Sequence, residues 1–491
     1  MQATETAWVT LGGTLIELLA AVVVSFHVLW AIFRILTRHG SDDARLLIAR
    51  GVLAALSFSV AGTLLKTIAL QSWPQIRMFA FVLLLRTLLK RIFQWEQTMI
   101  AQRRGPRQGF TTPSSTGISL ILLAGVLLTS STMHAATGTQ LPGSTLYPRL
   151  IRLHHAPGPL KNSILAKTGN KLFRSLDEGR TFTYLTTVPT ANLEAGSPTP
   201  DPAAPDKERC CSTIYELPRK LGHLKAGTLL YSASFFSGGI PAIEIYTSTD
   251  HGQSWRYLST PIKSGDEHHG LWEPEFTIAK DGSLIMFFSD ETDPCCSQKL
   301  VYMRTRDLTT WSGRQDTVAS ASHADRPGMA IVTPLPHHTW FMSYEICGPA
   351  AHCQVYARTS ADGLHFGSAA DFGTKLVTTG GQYFAHAPAN IFDPASHRLL
   401  LVGQVLFEAD GTVSPHNGRI LFTIAFSPSL PPGFGPWNTT PAPVEVPTAY
   451  DNFCPNYSSA LLSTANGLLE LASDFDAAHH CTSYFAFAPP D

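Results

Sequence analysis

None of the first 209 residues is a cysteine; all eight cysteines (Cys210, Cys211, Cys295, Cys296, Cys347, Cys353, Cys454, Cys481) fall in the remainder. No two of them keep a Cys-x-x-Cys spacing, which argues against structural zinc. The histidine doublets at 154/155, 268/269, 337/338 and 479/480 lack ligand spacing as well, so no metal and no cofactor is expected. A Gly-rich phosphate loop and a Gly-x-Ser-x-Gly elbow are both missing, which sets aside nucleotide cradling and the serine-hydrolase elbow. No basic patch is interleaved with aromatics, so nucleic acid is not an expected partner.

What is present divides in two. Residues 1–110 carry 12 Lys/Arg against 5 Asp/Glu, and the rest of the chain 24 against 32. A basic membrane part followed by a mildly acidic soluble part accounts for the near-neutral total. Thr14 to Leu36 is an apolar run long enough to span a bilayer, interrupted by Glu17 and Arg34. A second run, Gly51 to Leu70, contains Lys66, and a third, Ile76 to Phe93, contains Arg86. Arg38, Arg45 and Arg50 lie between the first two, and Lys90, Arg91, Arg103, Arg104 and Arg107 flank and follow the third. The positive-inside rule makes both segments cytoplasmic and puts the N-terminus outside. Glu17 and Lys66 then fall toward the outer ends of their helices, where they can pair.

A fourth, shorter run from Ile118 to Leu128 carries the chain back out. The residues after it match a small-x-small cleavage site poorly, so an uncleaved anchor is expected. An even number of cysteines in the exported part suits an oxidising compartment. Cys347 with Cys353 and Cys454 with Cys481 are candidate loop closures. The adjacent pairs 210/211 and 295/296 read either as cross-links between two loops or as buried free thiols. The pattern Ala44-Arg45-Leu46, Gly62-Thr63-Leu64-Leu65-Lys66-Thr67, Trp73, Leu85-Arg86-Thr87-Leu88 and Glu96 resembles a family of small bacterial membrane proteins of unknown function, and implies no chemistry. The expected location is the bacterial inner membrane, with the remainder on the periplasmic or extracellular side.

From Leu141 onward the sequence consists of short β-like runs separated by turn residues. Ser175-Leu-Asp177-Glu-Gly179-Arg-Thr-Phe182 and Ser248-Thr-Asp250-His-Gly252-Gln-Ser-Trp255 share the form Ser-x-Asp-x-Gly-x-x-aromatic. Shorter relatives start at Thr305 (Asp307, Trp311) and at Ser360 (Asp362, Gly363, Phe366). The starts at 175, 248, 305 and 360 are separated by about the length of one four-stranded propeller blade with its loops. In the full box Asp caps a turn, Gly supplies positive φ and the aromatic ring folds back onto the blade. The boxes resemble those of sialidase-like propellers, and residues 141–491 leave room for five or six blades. The Pro-rich 197–205 and the Pro/Gly-rich 428–443 read as surface loops.

One stretch organises the candidate chemistry. In Gly270-Leu271-Trp272-Glu273-Pro274-Glu275-Phe276, strand alternation puts Glu273 and Glu275 on one face and Trp272, Pro274 and Phe276 on the other. The proline places the strand's start at a rim or cavity mouth. In Met342-Ser343-Tyr344-Glu345-Ile346 the same alternation turns Glu345 away from the packed side.

Tyr147-Pro148-Arg149, Trp272-Glu273-Pro274, Phe288-Ser289-Asp290-Glu291, Arg326-Pro327-Gly328-Met329, Ser343-Tyr344-Glu345-Ile346-Cys347-Gly348 and Asn456-Tyr457-Ser458 together resemble the exo-arabinanases of glycoside hydrolase family 93. This resemblance spans nearly all of 141–491. It implies an all-β, six-bladed propeller, here preceded by α-helical membrane spans, and exo-acting, retaining hydrolysis of an arabinan-like glycan. It implies Glu273 as acid/base, Glu345 as nucleophile and Tyr457 beside the nucleophile; Glu275 competes for the acid role because it shares a strand face with Glu273. Arg149, Trp272, Glu275, Asp290 and Arg326 are candidate substrate contacts, Asp290 and Glu291 alternatively buttressing the site. A sialidase, with a tyrosine nucleophile and clustered arginines, is the second enzymatic reading. A non-catalytic carbohydrate-binding propeller is the reading of another class.

Overall fold

The computed structural model describes residues 137–142, 147–190, 208–426, 431–447, 449–450, 453–478 and 480–488. The four apolar runs expected to enter the membrane (14–36, 51–70, 76–93 and 118–128) and the Pro-rich 197–205 lie outside the described residues. Among the described residues no helix is long and apolar enough to cross a membrane.

Six antiparallel sheets follow one another along the chain. Each begins with an inner strand: Arg149–Arg152, Glu208–Glu216, Leu271–Ile278, Arg326–Leu335, Ala389–Asp393 and Ala460–Thr464, in blades one to six. Each inner strand neighbours the next, and the first neighbours the sixth, so the sheets form a closed six-bladed propeller. The sixth blade is completed from the other end of the domain: Thr139–Leu141 pairs with Cys481–Ala488 as its outermost strand. This pairing closes the ring and removes one exposed sheet edge.

Hydrophobic patterning explains the layering. The second strand of a blade is packed on both faces, and Leu284–Asp290 of blade three is buried at every residue, so it reads as a continuous apolar run. Each interface between blades has its own core. Ile285, Phe287 and Leu300 of blade three pack on Val332, Trp340 and Met342 of blade four, and Ile164, Ala166 and Phe173 of blade one pack on Leu469, Leu471 and Phe485 of blade six.

All four Asp-boxes close the same turn, between the third and fourth strands of blades one to four. In the first, Asp177 Oδ1 accepts the Thr181 amide at 2.9 Å and Ser175 Oγ accepts the Gly179 amide at 2.7 Å. Trp255 and Trp311 then donate their indole N–H groups to the carbonyls of Gly252 and Leu308. Leu308, at φ 65°, stands where the other boxes place glycine. Blade six has no such turn, because its fourth strand arrives from residue 139. In blade five the fourth strand, Asn438–Pro441, lies within the segment read from sequence as a surface loop. It is an edge strand with proline at its last position, where no ladder N–H is needed.

The disulfides Cys347–Cys353 and Cys454–Cys481 join the cysteines whose spacing suggested it. The adjacent cysteines bond to each other, Cys210 to Cys211 and Cys295 to Cys296. They are neither cross-links between loops nor free thiols: neighbouring residues already hold their sulfurs close, so no loop closure is required.

Candidate active site

At the start of each inner strand the backbone makes the same departure from regular β geometry. Tyr147, Cys211, Glu273, Met329, Ala387 and Ser458 all have positive φ, between 49° and 71°. Two residues later regular pairing begins, at Arg149, Thr213, Glu275, Ile331, Ala389 and Ala460. In blades two, three and four this appears as a register shift, at Cys210/Thr213, Trp272/Glu275 and Gly328/Ile331. A left-handed non-glycine residue costs about 1–2 kcal/mol, and here it recurs once per blade around one opening. Such strain is characteristic of functional sites.

Around these six positions gathers an apolar floor of Tyr147, Cys211, Met329, Ala387 and Tyr457, against which Cys210 and Trp272 pack. Above it lies a cavity of about 650 Å³, whose wall includes Trp272, Glu273, Glu291, Gln298, Arg326, Glu345, His386 and Phe453. The bulge overturns the alternation expected in Trp272-Glu273-Pro274-Glu275: Trp272 and Glu273 both line the cavity, and Glu275 does not. Gly270 makes room for the indole, since a Cβ there would stand 2.0 Å from a Trp272 ring carbon.

Glu273 is held from two blades. Tyr147 donates its phenol to Oε1 at 3.2 Å, and Ser289 donates to Oε2. Burial raises the Glu273 carboxyl above its ordinary value; the Ser289 and Tyr147 hydrogen bonds and the charge of Arg326 only partly offset it. The Tyr147 phenol is also pushed up, first by burial and then by Tyr457 and Glu273. It therefore stays protonated.

Glu345 lines the same cavity from blade four. Its Oε2 accepts the Ala387 amide at 2.7 Å, Nδ1 of His386 lies 3.9 Å from the same oxygen, and Cys347 Sγ lies 3.3 Å from Oε1. Tyr457 packs edge-on to Tyr147, with ring centroids 5.4 Å apart, and its hydroxyl meets Met329 Sδ at 3.7 Å.

The other expected contacts divide. Arg326 lines the cavity and is bonded to Glu291, to Gln298 Oε1 at 2.6 Å and to Ser297 Oγ at 3.0 Å. Burial raises the Glu291 carboxyl, but the hydrogen bonds from Arg326 and the Gly270 amide bring it below its ordinary value. Arg149 and Glu275 lie outside the cavity wall. Arg149 Nε donates to Glu275 Oε1 at 2.7 Å, Thr213 Oγ1 to Glu275 Oε2 at 2.8 Å, and Arg149 Nη1 to the Ser458 carbonyl at 3.1 Å. Asp290 is buried and accepts from the Thr292 amide at 2.8 Å and from Arg314 at 2.7 Å, away from the cavity.

Sequence reasoning assigned no role to Tyr147, Ser289 or His386. A signal for Tyr147 exists, and His386 stands one residue before its counterpart: Tyr147-Pro148, Glu273-Pro274 and Ala387-Pro388 repeat a residue-proline step at three of the six positive-φ positions.

This chain covers nearly the whole of two solved structures to which it is similar. A mutant of the α-L-arabinofuranosidase of Fusarium graminearum, bound to an iminosugar inhibitor, superposes with a TM-score of 0.57 at 22% identity, over 72% of this chain and 97% of that one. The α-L-arabinanase of Penicillium chrysogenum, complexed with arabinobiose, gives 0.56 at 22% identity, over 72% and 98%. The propeller resembles the family 93 exo-arabinanases. At this identity the likeness to the exo-arabinanases concerns the fold. A protein family of unknown function, DUF1622, matches residues 20–97, in agreement with the separate resemblance read in the first hundred residues. No curated protein matches the chain.

Proposed function

We propose that the propeller is an exo-acting, retaining glycoside hydrolase that cleaves an arabinan-like glycan from a chain end, held by its N-terminal helices on the outer side of a bacterial membrane. The carrying observation is that Glu273 and Glu345 line one cavity in different surroundings. Glu273 is buried with its carboxyl raised and two hydroxyl donors in place. Glu345 is aimed by a backbone N–H.

In this scheme protonated Glu273 gives its proton to the glycosidic oxygen as Glu345 attacks the anomeric carbon. The leaving sugar takes that proton and departs as the bond to the anomeric carbon breaks, and the attacked ring stays behind as an ester on Glu345. Glu273, now ionised and stabilised by Tyr147 and Ser289, removes a proton from water, which attacks the anomeric carbon and frees Glu345. Arg326, Gln298 and His386 supply hydrogen bonds for sugar hydroxyls, and Trp272 and Phe453 supply apolar surface.

The sialidase reading fares less well. Arg326 is the single arginine lining the cavity among the described residues, whereas binding a substrate carboxylate calls for several. Of the residues that reading would recruit, Arg149 lies outside the cavity wall, and the hydroxyl of Tyr457 faces Met329 Sδ at 3.7 Å.

The full-length chain is tested on arabinan, arabino-oligosaccharides, aryl arabinosides and sialosides, beside Glu273→Gln and Glu345→Gln. Arabinoside turnover lost in both variants supports the assignment. Unchanged turnover in both rules it out, and glycan binding without any turnover points to a binding propeller instead.

A further inference from the structure

Blade two brings no acid, base or aromatic ring to the cavity wall. It brings the Cys210–Cys211 disulfide. Cys211 occupies the position held by Glu273 in blade three and Tyr147 in blade one, with φ 71°. The register shifts on both sides of Cys210, which pairs with Ser234, and Cys211 is left out of the ladder before Thr213 pairs with Ser232. Both sulfur-bearing residues line the cavity, and Cys211 is part of its apolar floor.

The arrangement is built from behind as well. Lys167 of blade one is fully buried and donates Nζ to Ser212 Oγ at 2.7 Å. Thr213, one residue further, is fixed to Glu275. The chain therefore anchors both residues after the disulfide, while Cys210 and Cys211 themselves line the cavity. A second adjacent pair, Cys295–Cys296, lies in a loop between the second and third strands of blade three and is absent from the cavity wall.

We propose that the Cys210–Cys211 disulfide is a sugar-contacting platform of the site, packing against the C–H face of the ring that sits between Glu273 and Glu345. The proposal rests on the reading of this cavity as a glycan site. A disulfide fused across neighbouring residues is a rigid, polarizable, apolar surface that carries no strong donor or acceptor. The polar residues Glu273, Glu291, Gln298, Arg326, Glu345 and His386 bond to hydroxyls. A furanose or pyranose ring presents both such a polar rim and an apolar face, and a selective pocket pairs apolar surface with a few placed polar groups.

The test uses full-length Glu273→Gln protein, so that ligand is not consumed, titrated calorimetrically with arabinobiose. Adding Cys210→Ser/Cys211→Ser is expected to weaken binding about tenfold, the scale of one lost apolar contact. Adding Cys295→Ser/Cys296→Ser instead is expected to leave it within about twofold. Unchanged affinity in a folded Cys210→Ser/Cys211→Ser protein overturns the proposal, as does equal weakening by both pairs.

A crystal structure of the Glu273→Gln protein with arabinobiose decides the matter without the cysteine variants. One of the two sulfurs within about 4.5 Å of a ring carbon supports the platform, and a sugar seated beyond reach of both overturns it. Binding with this contact but no hydrolysis by the unmutated chain overturns the catalytic reading and leaves the platform standing. No binding of arabinobiose overturns both.

Discussion

Tyr147, two residues before blade one's inner strand, donates its hydroxyl to Glu273 on the inner strand of blade three across 3.2 Å. The two residues are 126 positions apart and occupy equivalent left-handed positions in their blades. The bond favours the ionised carboxylate, so it works against the burial that raises Glu273. Tyr147→Phe removes that opposition, and the Glu273 carboxyl moves further up. The expected result is an alkaline limb of kcat/KM displaced to higher pH, with kcat lowered by up to about tenfold. An unchanged pH profile would detach Tyr147 from the acid.

Arg149 and Glu275 form a largely buried pair, their side chains 11% and 16% exposed. Glu275 Oε2 takes Thr213 as well, so one carboxylate ties the inner strands of blades one, two and three. Removing one partner strands the other charge, which costs about 3–5 kcal/mol for a buried pair. Glu275→Gln is expected to lower the thermal midpoint by several degrees and leave the pH profile in place. Loss of turnover with an unchanged midpoint would return Glu275 to the chemistry.

Burial pushes the Glu470 carboxyl up to about 8, the Val444 amide offsetting it only in part, and its Oε1 has no partner. The folded protein therefore prefers the protonated acid, while the unfolded chain ionises near the ordinary glutamate value. Stability from this group is full in acid and declines as pH rises from about 4.5 to about 8, beyond which it is level. Glu470→Gln is expected to melt higher than the parent at pH 8 and close to it near pH 4.5. Parallel melting curves at both pH values would contradict the assignment.

The proposed topology exports the propeller. A phosphatase reporter fused after Gly143 is expected to be active outside the cytoplasm, because the basic segments at 37–50 and after residue 93 stay inside. Activity confined to the cytoplasm would invert it.

The Asp-boxes made the propeller legible, because Asp and an aromatic ring, with Gly between them in three of the four, perform one local task in four blades. Blades five and six lacked that mark for a physical reason: one has a longer connection, and the other has no turn to cap. Glu273, Glu345, Tyr457, Trp272 and Arg326 were found by motif and share the cavity. Glu275, Asp290 and Arg149 were placed with them and lie elsewhere. The alternation rule assumed regular β geometry, and at Glu273 the backbone has φ 55°. A bulge exchanges faces, and only a register comparison between blades reveals it. The vicinal disulfides were hidden by the same locality: spacing of one offers no loop to reason from.

The most direct measurement is capture of the intermediate. Full-length Glu273→Gln protein is mixed with an aryl arabinofuranoside whose leaving group needs no acid, and is analysed by intact mass and peptide mapping. The account predicts one pentosyl adduct, carried on Glu345, because glycosylation proceeds while the step needing a general base is slowed. Aryl release without any adduct, or an adduct on another residue, would contradict it.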